Sequence, residues 1–277
     1  MRIAALIAAA VGIGLAVGFA TTPELRRYVV AMLDDPASLP ALESDPRVHY
    51  EVGARDCAEA TAALLPGAME TVAAAQGRGF ARAPIVAVYV SNETYARANM
   101  TGAAHIVGVS WQGRVTLAPT LCGPERQRLA AILIHELSHT HLFGWRSELL
   151  PRPPGWFTEG LAVMVSQGGG AEGVDAAQAA EAIRNGFVIG VGDAPHGSFG
   201  GIAFEREPPD NYARPHDLAY REAEMFVTFL RAENPAAFSS LLAGLYNGDD
   251  FERAFRAAYG TGVGERKAVF IDQISRH

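Results

Sequence analysis

The stretch "HELSH", His135 to His139, constrains this chain more than any other. It lies inside "ERQRLAAILIHELSHTHLFG", which starts after Pro124, ends near Gly144 and reads as one helix. On a helix, a spacing of four puts both imidazoles on one face, about one turn apart and near enough to share a metal ion. Ala131 and Ile132 precede them on that face, so the histidines stand on an apolar stripe that must pack against something. Zinc needs a third protein ligand and an open position for water. The metzincin spacing would put Gly and His three and six residues after the second His. Those positions hold Leu142 and Trp145, which excludes that arrangement. His141 falls on nearly the opposite face and is expected at the surface or in a second layer.

The third ligand is expected from "PPGWFTEGLAVMV". Pro153-Pro154 end the preceding segment, and Trp156 to Val165 read as a second helix. Glu159 shares a face there with Trp156, Ala162 and Val163. An ionised carboxylate on an apolar stripe is costly unless something compensates it, and zinc held by His135 and His139 would. The competing reading is a carboxylate near a helix start that meets solvent or the helix dipole. Gly160 is expected to let the second helix approach the first closely.

The remaining chain sets the frame. With 277 residues, 49% of them hydrophobic, it can bury a substantial core. One domain over residues 47–277 is the simplest division, and two lobes around a cleft also fit the length. The net charge is −7 and no basic run occurs, which argues against a nucleic-acid partner. Ile3 to Ala20 carry no charge; as a helix they would span roughly 27 Å, close to a bilayer core. Residues 1–22 therefore read as a signal peptide, cut after a small-x-small site at Gly18-Phe19-Ala20, or as an uncleaved apolar helix that anchors the protein to a membrane. Either places the domain outside the cytoplasm, periplasmic or secreted. Residues 23–46, with Pro23, Pro36, Pro40 and Pro46, read as a linker. Behind an export segment, the two cysteines, Cys57 and Cys122, are expected to pair.

"RVHYEVG" alternates like a strand, and Asp56 opens a long helical stretch with Ala60, Ala63, Leu64 and Met69 near helical spacing. "PIVAVYV" reads as a buried strand and Ser91 as the cap of a short helix. "AHIVGVSW" and "RVTLAP" flank Gln112-Gly113, a hairpin turn. From Pro124 on the chain is mostly helical. The order β-α-β-α-β-β followed by helices predicts an α+β fold, a small mixed sheet lobe and then a helical lobe. Residues 166–213 are glycine-rich and read as an irregular loop with a short helix near Ala176–Arg184, either a cover over a cleft or a tolerated insertion.

"HELSH" followed by "GWFTEGLA" resembles the gluzincin zinc metallopeptidases and, more narrowly, the peptidase MA-like domain, usually H-E-x-x-H and then W-x-x-E-G-x-A. The resemblance is strong at these two helices and weak in the sheet lobe. It implies a thermolysin-like zincin fold with zinc between the lobes. Zn²⁺ would be held by His135, His139 and Glu159, and Glu136 would be general base toward the fourth-position water. Family members add a tyrosine donor from a downstream helix, which matches Tyr220 in "HDLAYREAEMFVTFL", with His216 as runner-up. The implied activity is hydrolysis of a peptide or protein substrate. Two alternatives stay open, an inactive peptide- or envelope-binding domain of the same fold and an aminopeptidase. "GAMET", Gly67–Thr71, resembles the amine-binding motif of zinc aminopeptidases, but it lies in a helical stretch, ends in Thr71 rather than Asn and reads as coincidence. "RVTLAP", Arg114–Pro119, which directly precedes the zinc helix, is expected to be an edge strand open to substrate by strand addition.

Overall fold

The computed structural model describes residues 34–192, 200–209 and 214–276. The apolar Ile3–Ala20 segment and the first part of the linker lie outside the described residues, as do residues 193–199 and 210–213 of the glycine-rich stretch. Among the described residues no helix is long and apolar enough to cross a membrane. The fold is α+β. Its described residues divide into two compact units, one within Met1–Ala62 and Ile85–Arg126, the other within Ala63–Pro84 and Gln127–His277.

The first unit is built on a four-stranded mixed sheet: β1 (Val48–Tyr50), β2 (Ile85–Val88), β3 (Gly108–Trp111) and β4 (Arg114–Leu117), in the order β1-β2-β4-β3. β1, β2 and β4 run parallel, and β3 joins β4 as an antiparallel hairpin. The hairpin turn is Gln112-Gly113, both with positive φ (48° and 80°), the backbone that a two-residue turn of this hand demands. Val86, Ala87, Val88, Val115 and Leu117 are fully or almost fully buried, so β2 and β4 form the centre of the sheet. Helix α2 (Asn92–Ala98) begins at Ser91, whose hydroxyl accepts from the Thr94 N–H. Its Tyr95 ring is buried, and the phenol donates to the Ile106 carbonyl at 2.6 Å.

One expectation fails here. β4 is not an edge strand: Arg114–Leu117 pairs with Ile85–Val88 on one side and with Gly108–Trp111 on the other. Both of its ladders are in use, so no strand can add to it, and β1 and β3 are the strands at the sheet margins. Upstream, Asp34 and Asp35 are held by Arg97 and Arg114, and Leu42 is buried, so residues 34–46 pack within this unit. Cys57 and Cys122 are joined by a disulfide.

Helix α1 (Arg55–Gln76) contributes residues to both units. It buries Cys57, Ala58, Thr61, Leu65, Ala68, Val72 and Gln76, a stripe at i, i+3 and i+4 steps. That is not the stripe expected from its sequence: Ala63 and Leu64 are exposed, and Ala60 and Met69 are half-buried. In an alanine-rich helix two faces are apolar enough to serve, and contacts made by distant segments select one. Gly67–Thr71 lies inside this helix.

The second unit is helical: α3 (Leu129–Gly144), α4 (Gly155–Val165), α5 (Ala176–Arg184), α6 (Pro215–Glu233), α7 (Pro235–Tyr246), α8 (Phe251–Tyr259) and α9 (Val263–Ser275). Pro215 and Pro235 stand at the first position of their helices, where a missing N–H costs nothing. α4 carries only two polar side chains, Thr158 and Glu159, and is buried nearly all round, with Trp156 on Phe226 and Phe157 on Phe251, ring centroids 5.0 Å apart in each pair. Its closest partner is α6. A methyl group on Gly160 would lie 2.6 Å from the Ala223 carbonyl carbon, so the glycine lets α4 approach α6, not the histidine helix for which it was expected.

Candidate metal centre

His135, Glu136, His139, Glu159 and Tyr220 all belong to the helical unit. Along α3 the apolar residues Ile132, Leu133, Leu137 and Leu142 are buried, and so are His135, Glu136 and His139. Polar groups taken out of water need partners. His135 Nδ1 meets the Gly169 carbonyl at 2.8 Å; the carbonyl can only accept, so Nδ1 carries the proton. In the neutral ring the lone pair then falls to Nε2, the form in which histidine ligates metals.

His135 Nε2 lies 3.1 Å from His139 Nε2, and Glu159 Oε2 lies 3.3 Å from each. Two donors about 2.0–2.1 Å from a tetrahedral zinc are separated by roughly 3.3 Å. The three atoms therefore have the spacing of ligands around one small cation, with a fourth position left over. Their chemistry fits as well, since two imidazole nitrogens and a carboxylate oxygen this close need a positive charge between them, a proton or a metal ion. Among the described residues, this is the one group of three metal-binding side chains whose donor atoms come together.

The local field is correspondingly negative. Burial disfavours a charge on His135, but the hydrogen bond to Glu159 and the Glu136 and Glu159 charges outweigh it and raise the imidazole to about 9. Burial likewise opposes charge on Glu159, and the two histidines overcome it and hold the carboxyl far below the usual carboxylate range. A field that favours protons favours a cation in the same way, and a metal held there would displace them.

Tyr220 reaches the cluster from α6. Its ring lies over that of His135, and only 8% of it is exposed. Burial first, and then the Glu159 and Glu136 charges, push the phenol well above its ordinary 10, so it remains a donor. Glu136 is outside the three-donor group but close enough for its charge to act on both His135 and Tyr220. His216 stacks on the Tyr220 ring with centroids 4.1 Å apart, but it is half-exposed and its Nδ1 is turned to Asp217 at 3.4 Å.

His141 is neither at the surface nor part of the cluster. It is completely buried, with Nδ1 2.7 Å from Gln76 Oε1 and Nε2 2.8 Å from the Arg78 carbonyl, and it ties α3 to the end of α1. Nor is the first part of the glycine-rich stretch a surface insertion. Gly169 and Gly170 pack against Ala131 and His135 of α3, Gly168 lies against Arg221 of α6, and the Gly169 carbonyl is the His135 acceptor. A backbone carbonyl has no side-chain signature, so the sequence offered only the run Gly168–Gly170 as a sign of close packing. No protein-family model matches the chain, and no curated protein and no solved structure matches it.

Proposed function

We propose that the protein is a zinc-dependent metallopeptidase of thermolysin-like zincin architecture that hydrolyses peptide bonds. The observation that carries this reading is the convergence of His135 Nε2, His139 Nε2 and Glu159 Oε2 at 3.1–3.3 Å, with Glu136 and Tyr220 beside them. Bound to those three atoms, zinc would polarise the scissile carbonyl and lower the pKa of a water in the fourth position. Glu136 is then the general base: it takes a proton from the attacking water and delivers it to the leaving amine. Tyr220 donates its phenolic proton as a hydrogen bond to the oxyanion as charge develops. The Gly169 carbonyl keeps His135 in the ligating tautomer, a role neighbouring acceptors commonly play for metal-bound histidines.

The substrate is a peptide or protein, and the working compartment lies outside the cytoplasm. The apolar segment Ile3–Ala20 supports that location, and so does the Cys57–Cys122 disulfide, a bond that persists in oxidising compartments.

The test uses purified full-chain protein, metal analysis and an internally quenched peptide library with blocked N-termini. The wild type should hold about one zinc per chain, as three protein ligands imply, and cleave the blocked peptides. Glu136→Gln should keep the zinc and lose hydrolysis, whereas His139→Ala and Glu159→Ala should lose both. Zinc without cleavage of any peptide would favour a binding domain, and cleavage confined to free N-termini an aminopeptidase. Full zinc occupancy of Glu159→Ala at limiting metal would remove Glu159 from the centre.

A further inference from the structure

The His135 tautomer depends on one carbonyl, and that carbonyl belongs to a loop. Residues 168–174 follow α4 without regular structure, so no helical or strand ladder holds Gly169 in place. Besides the turn bond from the Gly168 N–H to the Val163 carbonyl at 2.9 Å and the Ser166 hydroxyl 3.4 Å from the Gly169 carbonyl, three anchors do. The first is close packing: a Cβ on Gly169 would lie 2.8 Å from the Ala131 carbonyl oxygen, so the loop backbone rests directly on α3. The second is Glu172. One of its carboxylate oxygens accepts from the Gly170 N–H at 3.1 Å, and both receive the Arg128 guanidinium at 3.1 Å, from the residue that precedes α3. The third is Arg221, on α6 next to Tyr220. Its Nε donates to the Val174 carbonyl at 2.9 Å and its Nη2 to the Ala171 carbonyl at 3.1 Å, while Nη1 is turned to Glu224 at 3.3 Å.

We infer that Arg221, seconded by Glu172, is a positioning residue for the metal centre, holding the 168–174 loop so that the Gly169 carbonyl fixes His135 in its ligating tautomer. The inference rests on the reading of His135, His139 and Glu159 as a metal site. Arg221 touches neither the metal position nor the three donors. Its planar fork reaches two carbonyls of one loop at once, which a lysine ammonium cannot do with the same geometry. Because Arg221 adjoins Tyr220, the turn of α6 that presents the phenol also pins the acceptor of His135. Loss of the clamp lets the loop carbonyl drift, and His135 then loses the bond that sets its tautomer and raises its basicity as a ligand.

Zinc affinity of the metal-stripped full-chain protein, measured by competition with a chromophoric chelator, tests this without any need for activity. Arg221→Met should weaken zinc binding by about 10- to 100-fold, the usual cost of losing a group that orients a ligand. Arg221→Lys, able to reach one carbonyl, should fall between Arg221→Met and wild type. Glu172→Ala, at an exposed residue that the fold tolerates, should weaken binding by about tenfold, and it decides the matter if Arg221→Met does not fold. Arg266→Met, which breaks an ion pair with Glu233 elsewhere in the unit, should leave zinc affinity unchanged. Wild-type affinity in both Arg221→Met and Glu172→Ala would overturn the inference. So would equal weakening by Arg266→Met, which would mark a general loss of stability. Failure of the wild type itself to bind zinc would instead overturn the metal-site reading on which the inference stands.

Discussion

The Tyr220 ring lies parallel to the His135 ring, with 4° between their planes and 6.1 Å between their centroids. The stack fixes the phenol beside a proposed ligand rather than at the protein surface, and burial keeps it protonated. Tyr220→Phe preserves the ring and its packing and removes only the donor. It should leave zinc content and thermal unfolding unchanged and lower kcat by roughly 10²- to 10³-fold, with little change in KM. Steady-state kinetics on a quenched peptide decide this. Equal kcat in the variant and the wild type would end the donor role and direct attention to His216, whose ring contacts that of Tyr220.

Gly160 is expected to be intolerant of any side chain. Its Cα hydrogen faces the Ala223 peptide, and the Val227 side chain would lie 2.9 Å from an added methyl. Gly160→Ala must push α4 away from α6, at a cost of about 1–3 kcal/mol or more. Because Glu159 is the adjacent residue, zinc affinity should fall together with the midpoint of urea unfolding. An unfolding midpoint equal to that of the wild type would show that the two helices are not in contact at this point.

Glu222 sets a pH dependence of stability. It is almost wholly buried on α6; one carboxyl oxygen accepts from the Ile189 N–H at 3.0 Å, and the other has no partner among the described residues. Burial pushes it up to about 8, against the Ile189 bond and the Lys267 charge, both of which lower it. An acid with a raised folded-state pKa keeps a proton that the unfolded chain has released. Its stabilising contribution is therefore full below the unfolded value of 4.5 and is lost as pH climbs to about 8. Glutamine imitates the protonated carboxyl. Glu222→Gln should match the wild type near about pH 4.5 and exceed it by on the order of a few kcal/mol above about pH 8. Urea unfolding at the two pH values measures the difference, and an equal difference at both would refute the buried titration.

The disulfide closes a long loop, with Cys57 and Cys122 separated by 65 positions. Chain-entropy arguments give such a link about 4 kcal/mol as an upper figure. Reduction, or Cys57→Ala with Cys122→Ala, should lower the unfolding midpoint of the sheet unit and leave the proposed zinc ligands, all in the helical unit, able to hold metal. Non-reducing peptide mapping checks the bond, and two alkylatable thiols in protein taken from its native compartment would refute it.

What the sequence determined by itself was local. The four-residue spacing of His135 and His139, the Ser91 cap, the Gln112-Gly113 turn and the bounds Ala176–Arg184 all depend on neighbours within one or two turns of chain. The choice of Glu159 also came from chemistry visible in the chain, a carboxylate on an apolar stripe. What only the tertiary structure decided was which distant segments meet. It placed β4 inside the sheet, turned Leu64 outward on α1, set Gly160 against Ala223 and buried His141 against Gln76 and Arg78. It also brought the Gly169 carbonyl to His135 and the Arg221 guanidinium to that carbonyl's loop. The physical reason is that periodicity states which residues share a face, whereas the partner of that face is chosen by long-range packing and by backbone hydrogen bonds that carry no mark in the side-chain pattern.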